Sequence, residues 1–246
     1  MLGGVFWILA RTPIFFWRNH ARMNMMTRIA ARFARLVFYT SPFACTSRYA
    51  HSRQMPVGID TDMFTPGAQK KENTQSVKKV LFLGRLSPVK RAELFVGAGR
   101  YIGAGYELHL YGDDPEADQK YMHELRTLAP ANVFFHSAIP NNETPAIYRT
   151  HDVYVNLTPE GSMDKAVLEA VACGTSVLVT NESFSHVVPS ESRIKIVDEK
   201  LLAERIVAIA HVPKDEEEKK KHASRAAVVT DHSLEKLASM LYNYMK

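Results

Sequence analysis

The sequence predicts an α/β fold: a Rossmann-like parallel sheet with helices on both faces, joined to a partial N-terminal α/β segment. Three observations support this prediction. From residue 79 onward, short apolar strands alternate with helices, which is the pattern of βαβ units. Apolar residues make up 46% of the chain and charged residues 23%, as in an ordinary soluble globular protein. The sequence contains no internal repeat and no low-complexity tract.

The alternation predicts strands at residues 80–83, 107–111, 133–136, 153–157, 176–180 and 194–197. Helices are predicted at 89–101, 117–128, 144–150, 165–173, 184–188 and 201–211, with Thr144 as an N-cap and Pro145 as the first helical residue. The mixed-charge run at 214–221 predicts a solvated helix face. The apolar spacing at 232–244 predicts a final amphipathic helix.

The first 59 residues are basic. They contain eight arginines and no acidic residue, so they carry +8 while the rest of the chain carries −3. Such a segment favours an anionic partner, which can be lipid, nucleic acid or a phosphorylated ligand. It lacks lysine and the features of known nucleic-acid modules, so no nucleic-acid partner is expected.

Residues 3–17 are apolar and aromatic but too short to span a bilayer. They are expected to form a core helix, with an interfacial helix that contacts a membrane peripherally as the alternative. A further helix is predicted at 27–33 and a strand at 36–39. The two cysteines, Cys45 and Cys173, are far apart and outside any metal-binding spacing, which favours a reducing, cytoplasmic compartment.

Residues 153–179 form a predicted βαβ crossover that contains a candidate ligand-binding site. A loop at 159–162 opens onto a helix that begins near Asp164 and ends at Gly174, where a left-handed residue is expected. Free amides and the helix dipole favour an anion at such a helix start. Glu169 follows one turn later, so the stretch is either an ordinary capped helix or a nucleotide site with phosphate at the amides and ribose on the carboxylate.

A second candidate motif runs from Gly84 to Lys90, just after the first strand of the regular region. Gly84 allows a ligand to approach the backbone, while Arg85 and Lys90 supply two cations. Open α/β sheets bind ligands at this edge. The motif is therefore a diphosphate site or, alternatively, a turn flanked by two surface cations.

Taken in order, the motifs resemble the donor-binding domain of the family 4 retaining glycosyltransferases, which have the two-domain GT-B fold. The matching features are strand-Gly-Arg-x4-Lys at 84–90, Tyr111-Gly112, Val-Phe-Phe-His at 133–136, Tyr148-x3-Asp152, and Pro-Glu-Gly-x7-Leu-Glu-Ala-x2-Cys-Gly at 159–174. Residues 56–66 resemble the family's interdomain connector. The resemblance covers about residues 36–245.

The resemblance implies a division into a partial acceptor-side segment (1–59), a connector (60–78), a donor-binding domain (79–212) and C-terminal helices that pack back on the N-terminal part (213–246). It implies a UDP- or GDP-linked sugar donor and no metal. The catalytic residues would be Arg85, Lys90 and Glu169. Further donor contacts would come from Gly84, Gly112, His136, Ile139, Gly161, Ser162, Met163, Asp164, Lys165 and Ala166.

Two departures from the family pattern shape the functional hypotheses. The first glutamate of the family's E-x7-E motif would fall at Gly161, and Glu160 is one residue out of register. Only about 60 residues precede the connector, too few for a complete acceptor domain with its own core. The chain is therefore expected to be a retaining glycosyltransferase or, alternatively, a donor-binding half that needs a missing N-terminal part or a partner subunit.

Overall fold

The structure is a computed structural model that describes residues 6–7, 9–67, 77–113, 119–161, 163–195 and 198–246. In this part of the chain, the strands are β1 (Phe15–Trp17), β2 (Leu36–Tyr39), β3 (Ser52–Gln54), β4 (Lys78–Leu83), β5 (Tyr106–Tyr111), β6 (Val133–His136), β7 (Val153–Asn156) and β8 (Ser176–Val179). The α-helices are α1 (Met25–Phe33), α2 (Ala92–Ala98), α3 (Gln119–Leu128), α4 (Thr144–Thr150), α5 (Lys165–Ala172), α6 (Glu199–Ala210), α7 (Lys214–His232) and α8 (Leu234–Met245).

The strands form two parallel sheets, which confirms the predicted fold class. The smaller sheet has the order β1-β2-β3, and the larger has the order β6-β5-β4-β7-β8. In the larger sheet Val80 pairs with both Leu108 and Val153, so β4 lies at the centre. The order reverses beside β4, and α/β sheets bind ligands at such a reversal.

Two apolar layers cover the larger sheet, because its strands bury side chains on both faces. Phe95, Leu125 and Ile206 bring α2, α3 and α6 against one face. Tyr148 and Leu168, with Val228, bring α4, α5 and α7 against the other. Helices on both faces leave the carboxyl ends of the strands as the open edge.

The N-terminal segment differs from its prediction. Residues 6, 7 and 9 are helical, as predicted, but the helix does not continue to residue 17. Residues 15–17 form strand β1 instead, because Pro13 cannot continue a helix and the aromatic residues after it suit a strand. Phe6 is 68% exposed and Trp17 39%. The predicted strand at 36–39 is confirmed, and the predicted helix at 27–33 begins slightly earlier, where Asn24 caps α1.

Other predictions need correction around the larger sheet. The helix predicted from residue 89 is a 3-10 turn, Pro88–Lys90, followed by α2 from Ala92. Thr144 is the first helical residue and not the cap, since its hydroxyl donates to the carbonyl of Asn141 at 2.8 Å. The helix predicted at 117–128 begins at residue 119 among the described residues.

After β8, the predicted helix is wrong, and the described half of the predicted strand at 194–197 is not a strand. The helix predicted at 184–188 is a 3-10 turn, Glu182–Phe184, because Asn181 caps a single turn there. Ile194 and Lys195 are not in a strand; Arg193 makes one isolated bridge to Val179 instead, and residues 196–197 lie outside the described residues. The charged run at 214–221 is part of a longer helix, α7.

The end of α7 meets the predicted connector. The amides of Gly58 and Ile59 donate to the carbonyl of His232 at 3.1 and 2.8 Å, and the amide of Leu234 donates to Ile59 at 2.8 Å. From there α8 reaches the small sheet, where Tyr244 contacts Phe38 at 5.8 Å between ring centroids. The domain boundaries at 59, 78 and 212 stay predictions.

Candidate functional site

Two glycines end neighbouring strands at the carboxyl edge of the larger sheet. Gly84 follows β4 with φ +143°, and Gly112 follows β5 with φ +154°. A Cβ on Gly112 would lie 1.9 Å from the carbonyl oxygen of Gly84, so this approach of the two strand ends requires glycine. A Cβ on Gly84 would meet nothing within 4 Å, which leaves room for a ligand against the backbone.

Lys90 and Asp164, which come from separate motifs, form an ion pair between Nζ and Oδ2. The carboxylate of Asp164 also accepts from Asn156 Nδ2 at 3.0 Å and from Thr158 Oγ1 at 3.4 Å. Burial acts to raise the pKa of Asp164, but the charge and hydrogen bond of Lys90 outweigh it and hold the pKa below its ordinary value. The ion pair therefore fixes an ammonium group at the start of α5.

Arg85, the other predicted cation, is exposed beside Gly84. Within the described residues its guanidinium has no hydrogen bond or ion pair. It is available to a ligand, because no partner has to be displaced before it binds one. The two predicted cations thus differ: Lys90 is held by an ion pair, whereas Arg85 is exposed at the edge and has no partner for its guanidinium among the described residues.

The residues at the start of α5 have different roles. Asp164 has the extended backbone of an N-cap, but its side chain makes no capping bond because the carboxylate faces Lys90. Lys165 Nζ lies 3.5 Å from the carbonyl of Gly58, so its side chain reaches the connector. Met163 is buried in the apolar layer and Ala166 packs against it, so at these two positions the backbone is what could contact a ligand.

Glu169 lies one turn into α5 and is only 7% exposed. Its Oε1 accepts from Asn141 Nδ2 at 3.4 Å, and its Oε2 accepts from the hydroxyl of Tyr148 at 3.3 Å. Burial raises the pKa of Glu169. These long hydrogen bonds leave acceptor capacity on the carboxylate, so a ribose hydroxyl can replace one of them.

His136 and Ile139 follow β6 at the same edge. The ring of His136 stacks on Tyr111, with centroids 4.2 Å apart and planes within 11°. Ile139 is half-buried. Between them the amide of Ala138 donates to Asp113 Oδ2 at 3.3 Å, so Asp113 ties the loop after β6 to the loop after β5. Asp113 therefore has a structural partner at this edge.

Gly161 brings the small sheet to the site. It has φ +111°, and a Cβ there would lie 2.4 Å from the Cβ of Ala21, which follows β1. Nearby, the hydroxyls of Ser41 and Ser183 are 2.8 Å apart. The carboxyl ends of β1 and β2 therefore face the loops after β7 and β8. Ser162 lies outside the described residues.

The structure adds polar residues to which the sequence assigned no role at the site. Asn141 and Tyr148 hold Glu169, while Asn156 and Thr158 hold Asp164. Asn156 and Thr158 gave a sequence signal, because a buried apolar strand seldom ends in two polar side chains without a partner for them. Asn141 gave none, since it belongs to another part of the chain, and Tyr148 was identified only as part of the Tyr148-x3-Asp152 motif, without a role.

A family model described as "Glycosyl transferases group 1" matches residues 77–211. The D-inositol 3-phosphate glycosyltransferase of Paenarthrobacter aurescens (strain TC1) is 30% identical over a 138-residue match that covers 51% of this chain and 34% of that protein. The chain thus spans about a third of the length of this curated relative.

Solved structures show the same fold. A crystal structure of Anabaena HepE in complex with UDP and glucose matches with a TM-score of 0.82 at 15% identity, covering 99% of this chain and 74% of that one. Sucrose-phosphate synthase of Thermosynechococcus elongatus matches with a TM-score of 0.78 at 20% identity, covering 98% and 70%. At these identities the similarity establishes the architecture alone.

Proposed function

Because this chain belongs to the group 1 glycosyl transferases, we propose that it transfers a sugar from a nucleotide-diphosphate sugar to an acceptor hydroxyl. One observation carries the proposal: Lys90, Asp164 and Glu169 meet around the start of α5 at the open edge of the sheet. The edge combines positive charge for a diphosphate with a carboxylate for ribose, one turn apart. HepE, which has the same fold, was crystallised with UDP.

In this proposal Arg85 and Lys90 bind the diphosphate, and Glu169 accepts hydrogen bonds from the ribose hydroxyls. The backbone at 163–166 faces a phosphate, and the segment 135–139 lies beside the base. Gly84 leaves room for the donor against the backbone, and Gly112 allows the two strand ends to approach each other. The two cations and the helix start stabilise the departing diphosphate, so the mechanism requires no metal.

We propose further that transfer retains the anomeric configuration. The bond between the anomeric carbon and the diphosphate oxygen breaks while the acceptor oxygen bonds to that carbon from the same face. The acceptor proton goes to the departing phosphate oxygen, which serves as the base. Two observations support this assignment of the base. Glu160, beside Gly161, is exposed and out of register with the family's first glutamate, and the carboxylate of Asp164 is already paired with Lys90.

Calorimetric titration with UDP, GDP and ADP tests the donor site. We expect one of UDP or GDP to bind, and Arg85→Ala to weaken it about 10- to 100-fold, the value of a lost charge-assisted hydrogen bond. Arg205→Ala removes an equally exposed arginine from α6 and serves as the control. Unchanged affinity in Arg85→Ala would contradict the diphosphate assignment.

Glu169→Ala tests the ribose assignment separately. Because Glu169 would act on the ribose, its loss should weaken uridine or guanosine as much as the corresponding diphosphate. The free-energy change should be similar for both ligands, measured by the same calorimetry. A loss confined to the diphosphates would move Glu169 out of the ribose site.

A second candidate function is donor binding without catalysis by this chain alone. The small sheet favours it, because β1 has a strand neighbour on only one side within the described residues and Phe6, Trp7 and Trp17 are exposed near it. These apolar groups would then pack against a further part of the acceptor-side sheet. The isolated chain should bind the donor but transfer little sugar, whereas robust turnover would exclude this candidate.

The basic segment supports a peripheral contact with an anionic membrane as part of the same proposal. Its arginines form no ion pair among the described residues, and Met25 and Met26 are exposed near Arg28 on α1. No helix in the described part of the chain has both the length and the apolar content to cross a bilayer. The chain should sediment with vesicles that contain phosphatidylserine and should stay in the supernatant with vesicles of phosphatidylcholine alone.

A further inference from the structure

Three polar side chains on the larger sheet form a hydrogen-bonded chain that leads to the proposed base-binding segment. Glu107 and His109 lie on β5 two residues apart, so they share one face of the sheet. Glu107 Oε2 is 3.3 Å from His109 Nε2, and His109 Nδ1 is 2.9 Å from His136 Nε2. The chain ends at His136, the last residue of β6.

Stacking fixes the planes of both imidazole rings. His109 stacks on Phe134 with centroids 5.2 Å apart, and His136 stacks on Tyr111 at 4.2 Å. The two histidine rings lie within 22° of parallel, and His151 meets the edge of His109 at 5.1 Å. Because the rings are packed and hydrogen-bonded on neighbouring strands, each nitrogen keeps the partner it has in this arrangement.

The carboxylate decides which nitrogens carry protons. An ionised Glu107 only accepts, so His109 Nε2 must carry a hydrogen. Burial lowers the pKa of both histidines, so each is neutral near pH 7 and has one ring hydrogen. His109 Nδ1 is then an acceptor, and His136 Nε2 must donate to it. The remaining nitrogen, His136 Nδ1, is an acceptor with no partner among the described residues.

We propose that Glu107 and His109 are positioning residues that present His136 Nδ1 as a hydrogen-bond acceptor to the base of the donor. This inference rests on the proposed function, because it assumes a nucleotide at this edge. In this proposal His136 Nδ1 faces the ring nitrogen of the Watson–Crick edge of the base. Uracil and guanine carry an N–H at that nitrogen, whereas cytosine and adenine have an acceptor there, so the acceptor selects uracil or guanine. The structure thus assigns a specificity role to residues that do not touch the ligand.

The tautomers can be measured without any ligand. Long-range proton–nitrogen NMR spectra of the wild-type chain should show His136 protonated at Nε2 and His109 also at Nε2. In Glu107→Gln the amide can donate as well as accept, so the preference should weaken or reverse. Glu107 is 33% exposed on its side chain, so the change should not disturb folding. Glu124→Gln, in a surface pair with Lys120, is the matched control and should leave both histidines unchanged.

Binding supplies the second measurement. The wild-type chain should prefer UDP to CDP, or GDP to ADP, by about tenfold, the value of one well-placed hydrogen bond. Glu107→Gln should lose most of that preference, while Glu124→Gln keeps it. A wild-type His136 protonated at Nδ1, or a preference that Glu107→Gln leaves intact, would overturn the inference. A wild-type chain that binds none of the four nucleotides would instead overturn the proposed function, whichever tautomer the spectra show.

Discussion

His232 makes the stability of this protein sensitive to acid. It is 4% exposed at the junction of α7 and α8, and its Nε2 is 2.6 Å from Nε2 of His186. Its Nδ1 accepts from the amide of Val57 at 3.4 Å, while its carbonyl accepts from Gly58 and Ile59. The ring therefore lies where residues 57–59, the segment after β8 that contains His186, and the last two helices meet.

Burial and, to a lesser extent, the neighbouring His186 together lower the pKa of His232 from 6.5 to about 4. The unfolded chain therefore binds a proton at a pH where the folded chain does not, so stability falls as the pH drops from 6.5 to about 4. Each pKa unit corresponds to about 1.4 kcal/mol, so the full loss is about 3 kcal/mol. Above pH 6.5 both states are neutral at this ring and its contribution is constant.

Urea unfolding at a series of pH values measures this loss directly. His232→Gln keeps polar atoms at the junction but cannot bind the proton, so its unfolding free energy should depend much less on pH in this range. His222→Gln, on the exposed side of α7, is the control and should keep the wild-type slope. If His232→Gln showed the same slope as the wild type, the assignment of the acid sensitivity to this ring would be wrong.

Two further substitutions test the geometry of the site. Asp164→Asn should tighten UDP or GDP binding several-fold in calorimetry, since Lys90 would no longer exchange a carboxylate for phosphate; weaker binding would mean that Asp164 is needed to hold the ammonium group in place. Gly112→Ala should cost about 3 kcal/mol or more in thermal unfolding, because its Cβ would meet the Gly84 carbonyl oxygen at 1.9 Å. Gly103→Ala, also at positive φ but in open space, should cost only about 1–2 kcal/mol, and equal losses would refute the clash.

Local patterns in the sequence determined much of the architecture. Alternation of apolar strands with helices predicted five strands of the larger sheet, because burial on both faces of a parallel sheet leaves short continuous apolar runs. Gly174 has φ +74° at the end of α5, as its position after the helix predicted. Gly84 and Gly112 directly follow strands of the parallel sheet, and Lys90 follows shortly after Gly84. The order of the chain therefore places all three near the carboxyl edge.

The wrong secondary-structure predictions lie in segments that are too short to show a clear hydrophobic period. The segments predicted as a helix at 184–188 and a strand at 194–197 contain too few residues for a period to be distinguished from a turn. Residues 15–17 were predicted as part of a helix because their apolar character fits either structure. In each case a cap, a proline or a neighbouring strand decided the outcome.

By itself, the sequence determined the fold class, the run of parallel strands and the chemical character of the residues at their carboxyl ends. Only the tertiary structure paired Lys90 with Asp164, placed Asn141 and Tyr148 on Glu169, and joined His109 to His136. These partners are tens of residues apart, and the order β6-β5-β4-β7-β8 brings them together. Side-chain periodicity reports which face of its own element a residue occupies, whereas the choice of neighbour depends on packing summed over the whole sheet.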